Sequence, residues 1–477
     1  MAPFVYERRK PEQTTLYAVV RDNVETLYAA LAESGTRLPA FVRGELEGYL
    51  DCGLLCRGFA HLKCEGCSER RLVAFSCKGR GFCPSCMGRR MAQTAANLME
   101  SILPEAPLRQ WVLTMPHAIR HRLAYDAKLL GKVTRAFLGV VLAFYKKRSG
   151  ASGCVAVVQR TSSDLKLNPH IHAVFLDGGY VEREGEHTFH ALGHLRGSDV
   201  AEVLARARRR IEKLLARADA LRDDEELYPF GYHEARQVML TSVSGQPPAG
   251  PVLRRGASEA GATFSKTELC AQDEGFNLHA ATRAGALDAQ GRETLLRYIL
   301  RPPIAQERVQ HGPDNLVRIA FKRPFSDGTV AVDMDPLSLL LRLCAAVPAP
   351  RFHTVRYAGV LAARSKVRPH IVRIADATVG VEDNDVEEDD EHIKKRSRYW
   401  PWAQLMARTF KVDVEKCPRC GERMKLVALV QEKKNIERFL RRLGEPVEVP
   451  ERASARAPPY YRSAIIRRLT SGDIAAA

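Results

Sequence analysis

The sequence predicts an α+β protein, an antiparallel sheet with helices packed on it, preceded by a helical and zinc-binding amino-terminal module. Three observations carry this. Residues 154–159 form a β-branched run that reads as a strand. With 167–176 it makes a long-looped antiparallel hairpin, and 109–115 reads as a further strand. The stretches 127–147 and 197–222 have the periodicity of long helices. Seven of the twelve cysteines fall between Cys52 and Cys86, and in a cytosolic chain such crowding favours metal ligation over disulfides.

A length of 477 residues exceeds one ordinary core, so several domains are expected. The hydrophobic fraction of 45% with 27% charged residues is that of a globular protein. No apolar run approaches the ~20 residues of a bilayer span, and Met1 to Lys10 lacks the apolar stretch of a signal peptide. A cytoplasmic location without a membrane partner is therefore expected. The net charge of +17 suits a polyanionic partner, nucleic acid first among them.

In chain order, Leu16, Val20, Val24, Leu27 and Leu31 recur at helical spacing within 13–50, which reads as two packing helices. Cys64-Glu-Gly-Cys67 and Cys83-Pro-Ser-Cys86 follow, with fifteen residues between the pairs. This spacing predicts two knuckles converging tetrahedrally on one zinc ion. Cys77 lies between the pairs, and Cys52, Cys56 and His61 just before them, which leaves ligand substitution or a second site open. Arg80, Arg89 and Arg90 put cations beside the knuckles, as a module lying on DNA phosphates would need.

Leu167-Asn-Pro-His170-Ile-His172-Ala-Val-Phe-Leu176 is the most informative stretch. As a strand it puts His170 and His172 on one face, where two imidazoles can share a metal ion with a third ligand from elsewhere. Ile171, Val174 and Leu176 do not share one face, so the strand is expected to be covered on both sides. The hairpin brings Gln159 near the histidines as the candidate third ligand, with His117 as its rival.

Residues 293–303 read as a short helix stopped by Pro302-Pro303. Leu295, Leu296, Ile299 and Leu300 form its apolar face. Tyr298 falls away from that face beside Thr294 and Arg301, with Arg297 also on the polar side, so its hydroxyl can meet a phosphate. The arginine-dense helix 197–222 reads equally as a solvated face or a binding stripe, and the Gly/Pro-rich 244–262 as a loop. An acidic run at 382–391, followed by Lys394-Lys-Arg396, marks a linker. Beyond it, Cys417-Pro-Arg-Cys420-Gly421 is half a zinc ribbon whose other ligands would have to come from far along the chain. The expected divisions are 1–50 helical, 51–90 zinc- and DNA-binding, 91–375 catalytic core, 376–398 linker, 399–445 carboxy-terminal segment and 446–477 a loosely held tail.

Several uncommon strings then occur together in order. They are Phe75-Ser-Cys-Lys-Gly-Arg-Gly-Phe-Cys-Pro-Ser-Cys86, Gln110-Trp-Val-Leu-Thr-Met-Pro-His117, Leu167-Asn-Pro-His-Ile-His172, Arg297-Tyr-Ile-Leu-Arg-Pro-Pro303, Asp327-Gly-Thr329, Tyr357-Ala-Gly-Val360 and Cys417-Pro-Arg-Cys-Gly421. Through them most of the chain resembles the rolling-circle transposases of the HUH class carried by common-region (ISCR-type) insertion sequences, together with their two-tyrosine relatives. The resemblance implies an HUH endonuclease core, with His170 and His172 as the metal pair and Tyr298 as the nucleophile. It also implies an amino-terminal zinc module that binds DNA. The two-tyrosine relatives carry another tyrosine four residues earlier, where this chain has Thr294, so it resembles a single-tyrosine branch.

The implied activity is nicking and joining of single-stranded DNA at element ends through a 5′-phosphotyrosine, with Mg²⁺ or Mn²⁺ at the histidines and Zn²⁺ at the cysteines. Arg297 and Arg301 would attend the phosphate. A plasmid replication initiator or relaxase would use the same chemistry, and a zinc-dependent DNA-binding protein without catalysis is the reading from another class.

Overall fold

The computed structural model describes residues 4–5, 8–33, 35–220, 263–264, 269–325, 327–372, 403–404, 406–407, 412–457 and 466–470. The expected loop at 244–262 and linker at 376–398 lie outside the described residues.

The histidine strand, Leu167–Leu176, lies inside the largest sheet. On one side it pairs antiparallel with Gly153–Thr161, which in turn pairs with Val355–Gly359. On the other it pairs antiparallel with Leu108–Thr114, beyond which come Phe276–His279 and Cys270–Asp273. The hairpin expected between 154–159 and 167–176 is thus present, and all ladders of this sheet are antiparallel. With partners on both edges, the strand's backbone groups are satisfied and its register is fixed.

Alternation along the strand divides the core. Ile171, Ala173 and Phe175 join Trp111, Leu113, Cys154, Ala156 and Val158 on one face. The helices Ala127–Arg148 and Gly197–Ala220 cover that face. Val174 and Leu176, on the opposite face, meet Val155, Val157 and the apolar stripe of the helix Ala289–Leu300, namely Leu295, Leu296 and Ile299. Both sides are covered, as the mixed apolar pattern implies.

The open end of the sheet is tied by a buried ion cluster. Arg109 donates to both carboxylate oxygens of Asp177 (2.8 and 3.0 Å), and Arg283 and the Tyr145 hydroxyl donate to the same carboxylate. Asp177 is 1% exposed, so this charge is kept inside only by its donors.

The amino-terminal helices Thr15–Glu33 and Ala40–Asp51 do not stand apart. Their apolar faces share a core with the helix Pro336–Ala346 and with the sheet strands Val309–His311, Val317–Ala320 and Thr329–Met334. The tail, expected to be loosely held, adds the strand Ile466–Thr470 to Thr329–Met334. A third sheet is made by the hairpin Phe59–Cys64 and Arg70–Ala74 together with Met424–Val430 from far along the chain. Among the described residues, no helix is long and apolar enough to cross a membrane.

Candidate active site and metal centres

Two neighbouring strands and one helix bring the site together. His170 lies opposite Gln159 on one neighbour and Thr114 on the other, and His172 lies opposite Val157 and Val112. The two imidazole centroids are 4.8 Å apart. Both rings are buried, at 9% and 3% exposure. Burial lowers the pKa of His170 to about 4, with the nearby charges of Arg301 and Arg120 adding to the effect, against the raising effect of the hydrogen bond it donates to the Asn168 carbonyl. His172 is held well below its ordinary value by burial, then by His170 and Arg301. Neutral imidazoles are the form that ligates metals.

Each ring is oriented through Nδ1. His170 Nδ1 lies 2.6 Å from the Asn168 carbonyl oxygen, which can only accept, so this nitrogen carries the proton and Nε2 keeps a lone pair. His172 Nδ1 lies 2.7 Å from the side-chain amide nitrogen of Gln110, and turning that amide over would offer its oxygen to an Nδ1–H instead. His172 Nε2 is buried with no hydrogen-bond partner. An orphaned ring nitrogen beside a second imidazole fits a divalent cation.

Tyr298 projects from the polar side of its helix and is 44% exposed, while Leu295, Leu296 and Ile299 are buried beneath it. Asp288 caps the helix start, its carboxylate accepting from Gly291 N. The phenol ring stands edge-on to His172, with centroids 5.8 Å apart. The Arg301 guanidinium lies over the Tyr298 ring, 4.5 Å from its centre. Arg297 turns to Glu293, one helical turn back, at 2.7 Å.

Gln159, the expected third ligand, reaches this same face, but its amide nitrogen donates to the carbonyls of Ile299 (2.9 Å) and Tyr298 (3.4 Å). These are carbonyls in the last turn of the helix, which lack intrahelical partners. Gln159 therefore ties the tyrosine helix to the histidine sheet. The amide touching an imidazole is Gln110, inside a strand that the sequence does predict; its contact depends on a register that the sequence does not spell out. His117 begins the helix His117–Tyr125. Among the described residues, no third His, Cys, Asp or Glu completes a close-set cluster with the pair.

The cysteines sort differently from the expectation. Cys64/Cys67 and Cys83/Cys86 do not converge on one ion; they belong to two clusters. Cys83 and Cys86, at the start of the helix Pro84–Ser101, meet Cys52 and Cys77, with Sγ–Sγ distances of 3.3 to 3.7 Å. Cys64 and Cys67, at the tip of the hairpin, meet Cys420 and Cys417 at 3.3 and 3.5 Å. Tetrahedral zinc with bonds of ~2.3 Å sets thiolates roughly 3.8 Å apart, so both clusters fit the ion. The pairs part because Met424–Val430 lies alongside Phe59–Cys64 with Met424 opposite Cys64, which delivers the distant knuckle to the hairpin tip. Cys56 and His61 join neither cluster; His61 packs on Phe439.

Beside the first cluster Arg80 and Arg90 are exposed and Arg89 partly so. Local desolvation, then the charges of Arg80 and Arg89, hold the Arg90 guanidinium below its ordinary pKa, so the three cations are close neighbours. On the helix Gly197–Ala220, Arg206 and Arg208 pair with Glu202 and Asp273. Arg210 instead lines a cavity of about 560 Å³ with Lys132, Arg135, Lys213 and Arg217.

Residues 153–368 match the family model described as "Putative transposase" and residues 23–115 the model described as "Transposase zinc-binding domain". The chain thus resembles a transposase zinc-binding domain over its amino-terminal part and a transposase over its middle. The pairing is consistent with an IS91-family transposase, and the cysteine clusters with the zinc-domain match support structural Zn²⁺. No curated protein and no solved structure matches the chain.

Proposed function

We propose that the chain is a rolling-circle transposase of the single-tyrosine, ISCR-like kind, with an HUH endonuclease core over 91–375, that nicks and joins single-stranded DNA through Tyr298. The observation that carries this reading is the edge-on approach of the Tyr298 ring to His172, 5.8 Å between centroids, across the packed face of helix and sheet.

His170 and His172 would hold the cation through Nε2, with Gln110 orienting the second ring. When bound, a Mg²⁺ or Mn²⁺ ion supplies charge neutralisation at the scissile phosphate. Gln110, turned so that its carbonyl oxygen meets Nδ1–H of His172, leaves Nε2 free to ligate. Tyr298 attacks phosphorus in line: the phenol oxygen–phosphorus bond forms and the bond to the 3′ oxygen breaks. The phenol gives up its proton to solvent and the leaving 3′ oxygen takes one up, so the products are a 5′-phosphotyrosine and a 3′-hydroxyl. A 3′-hydroxyl from a second end reverses the exchange and joins the strands, and no nucleotide is consumed because the phosphodiester bond energy is kept in the tyrosine ester. Arg301, whose guanidinium lies 4.5 Å from the phenol ring centre, would donate to the phosphate oxygens. The substrate is single-stranded because an exposed tyrosine above buried histidines needs a backbone that can bend down between them.

The test is a denaturing gel with 3′-end-labelled single-stranded DNA carrying element-end sequence, in the presence of Mn²⁺. A labelled covalent protein adduct is expected. Complete absence of cleavage across element-end oligonucleotides, with binding retained, would leave the chain a DNA-binding protein only.

A further inference from the structure

We propose that Cys64, Cys67, Cys417 and Cys420 form a second structural zinc site shared between the amino-terminal module and the carboxy-terminal segment, and that this ion makes residues 412–443 an integral part of that module. The proposal goes beyond the tyrosine chemistry and does not rest on it.

All four Sγ atoms lie within 4.8 Å of one another, and the close pairs run between the two knuckles, Cys64 to Cys420 and Cys67 to Cys417. Each knuckle alone is half a site. A Cys-x2-Cys pair supplies two of the four ligands zinc requires, and here each pair lacks any other partner within its own stretch. The matched zinc-binding region ends at residue 115, so half of the ligands lie some three hundred residues outside it.

Besides the ladder with Phe59–Cys64, buried Val414, the Arg71 hydrogen bond to the Val414 carbonyl and Phe439 packed on Phe59 and His61, the apolar packing that holds the segment is small. From it only Cys417, Met424, Val430, Ile436 and Leu440 are buried in the two small clusters shared with the hairpin. Cores of this size rarely secure a segment without a staple. The strand Met424–Val430 occupies the sheet edge and exposes Leu426, Val427 and Leu429. The helix that follows, Lys433–Leu443, packs Ile436 and Leu440 inward and exposes Lys433, Lys434, Arg438, Arg441 and Arg442. A cation at the four thiolates would therefore fix a basic helix to the amino-terminal module.

The experiment uses the full-length chain. Elemental analysis is expected to give two zinc ions per chain, falling to one in Cys417→Ser/Cys420→Ser. Hydrogen exchange in that variant is expected to speed up in both 424–430 and 59–64, the two partners of one ladder, while 167–176 keeps its protection. Because a variant can misfold for other reasons, the native chain is also treated with a chelator and a thiol-alkylating reagent, and the sites are mapped by mass spectrometry. Cys64, Cys67, Cys417 and Cys420 are expected to become reactive together, as a group distinct from Cys52, Cys77, Cys83 and Cys86. Retention of two zinc ions in the double variant would overturn the proposal. So would a wild-type chain with one ion and Cys417 and Cys420 alkylated before any chelator is added.

Discussion

The phenol ring of Tyr298 stands perpendicular to the imidazole of His172, at an interplanar angle of 84°, although strand and helix are separated by more than a hundred residues of sequence. The contact is possible because Leu295, Leu296 and Ile299 anchor the helix on the sheet face that bears the histidines, leaving the tyrosine at the rim of that packing.

Removing the hydroxyl should therefore silence chemistry without disturbing the fold. Tyr298→Phe is expected to lower covalent adduct formation by on the order of 10⁴-fold or more. Its unfolding free energy should stay within about 0.5 kcal/mol, since the ring is half exposed and its stem is unchanged. Adduct assays and urea titration read the two quantities. An adduct surviving in this variant would move the nucleophile to another residue, Tyr180 or Tyr357.

Gln110 should act through His172. Gln110→Leu removes the group that fixes the ring and is expected to weaken Mn²⁺ activation by 10–100-fold, the usual range for a lost partner of a metal-ligating histidine. Gln110→Glu, which keeps an acceptor for Nδ1–H, should recover most of it. The half-saturating Mn²⁺ concentration is the measurement; equal loss in both variants would make the residue a packing element.

Gln159→Ala should behave differently. Its loss frees the last-turn carbonyls of the tyrosine helix, costing about 1 kcal/mol of stability. It should slow adduct formation roughly tenfold by loosening the nucleophile's placement. Mn²⁺ affinity should hardly change. A larger effect on Mn²⁺ than on rate would restore Gln159 as a ligand.

Asp177→Ala tests the buried ion cluster at the sheet end. It strands Arg109, itself 5% exposed, without its carboxylate, and such a loss typically costs about 3–5 kcal/mol. Urea unfolding should show the fall, and a change below about 1 kcal/mol would mean that solvent reaches this guanidinium.

The local features were legible because they repeat at short range. The period of two in 167–176 puts both histidines on one face, and the apolar stripe of 295–300 puts Tyr298 off it. Cross-chain pairings were not legible. The partner of a strand is set by which apolar faces meet after collapse, so neither the Gln110–His172 contact nor the meeting of Cys64 with Cys420 is written in any local spacing. The even fifteen-residue gap between two cysteine pairs even pointed to a convergence that the hairpin prevents. Cys52 and Cys77, flanking that hairpin in the sequence, complete the first cluster instead.

The central position of Leu167–Leu176 has a practical outcome for mutagenesis. Neighbouring positions on it should fail in unlike ways: a disturbed odd-numbered side chain such as Ala173 undermines the scaffold on the side of the two long helices, an altered His170 or His172 stops the reaction, and a disturbed Val174 or Leu176 undermines the packing under the tyrosine helix. A scan of 170–176 would then separate failures of the site, at 170 and 172, from failures of the scaffold on either face of the sheet.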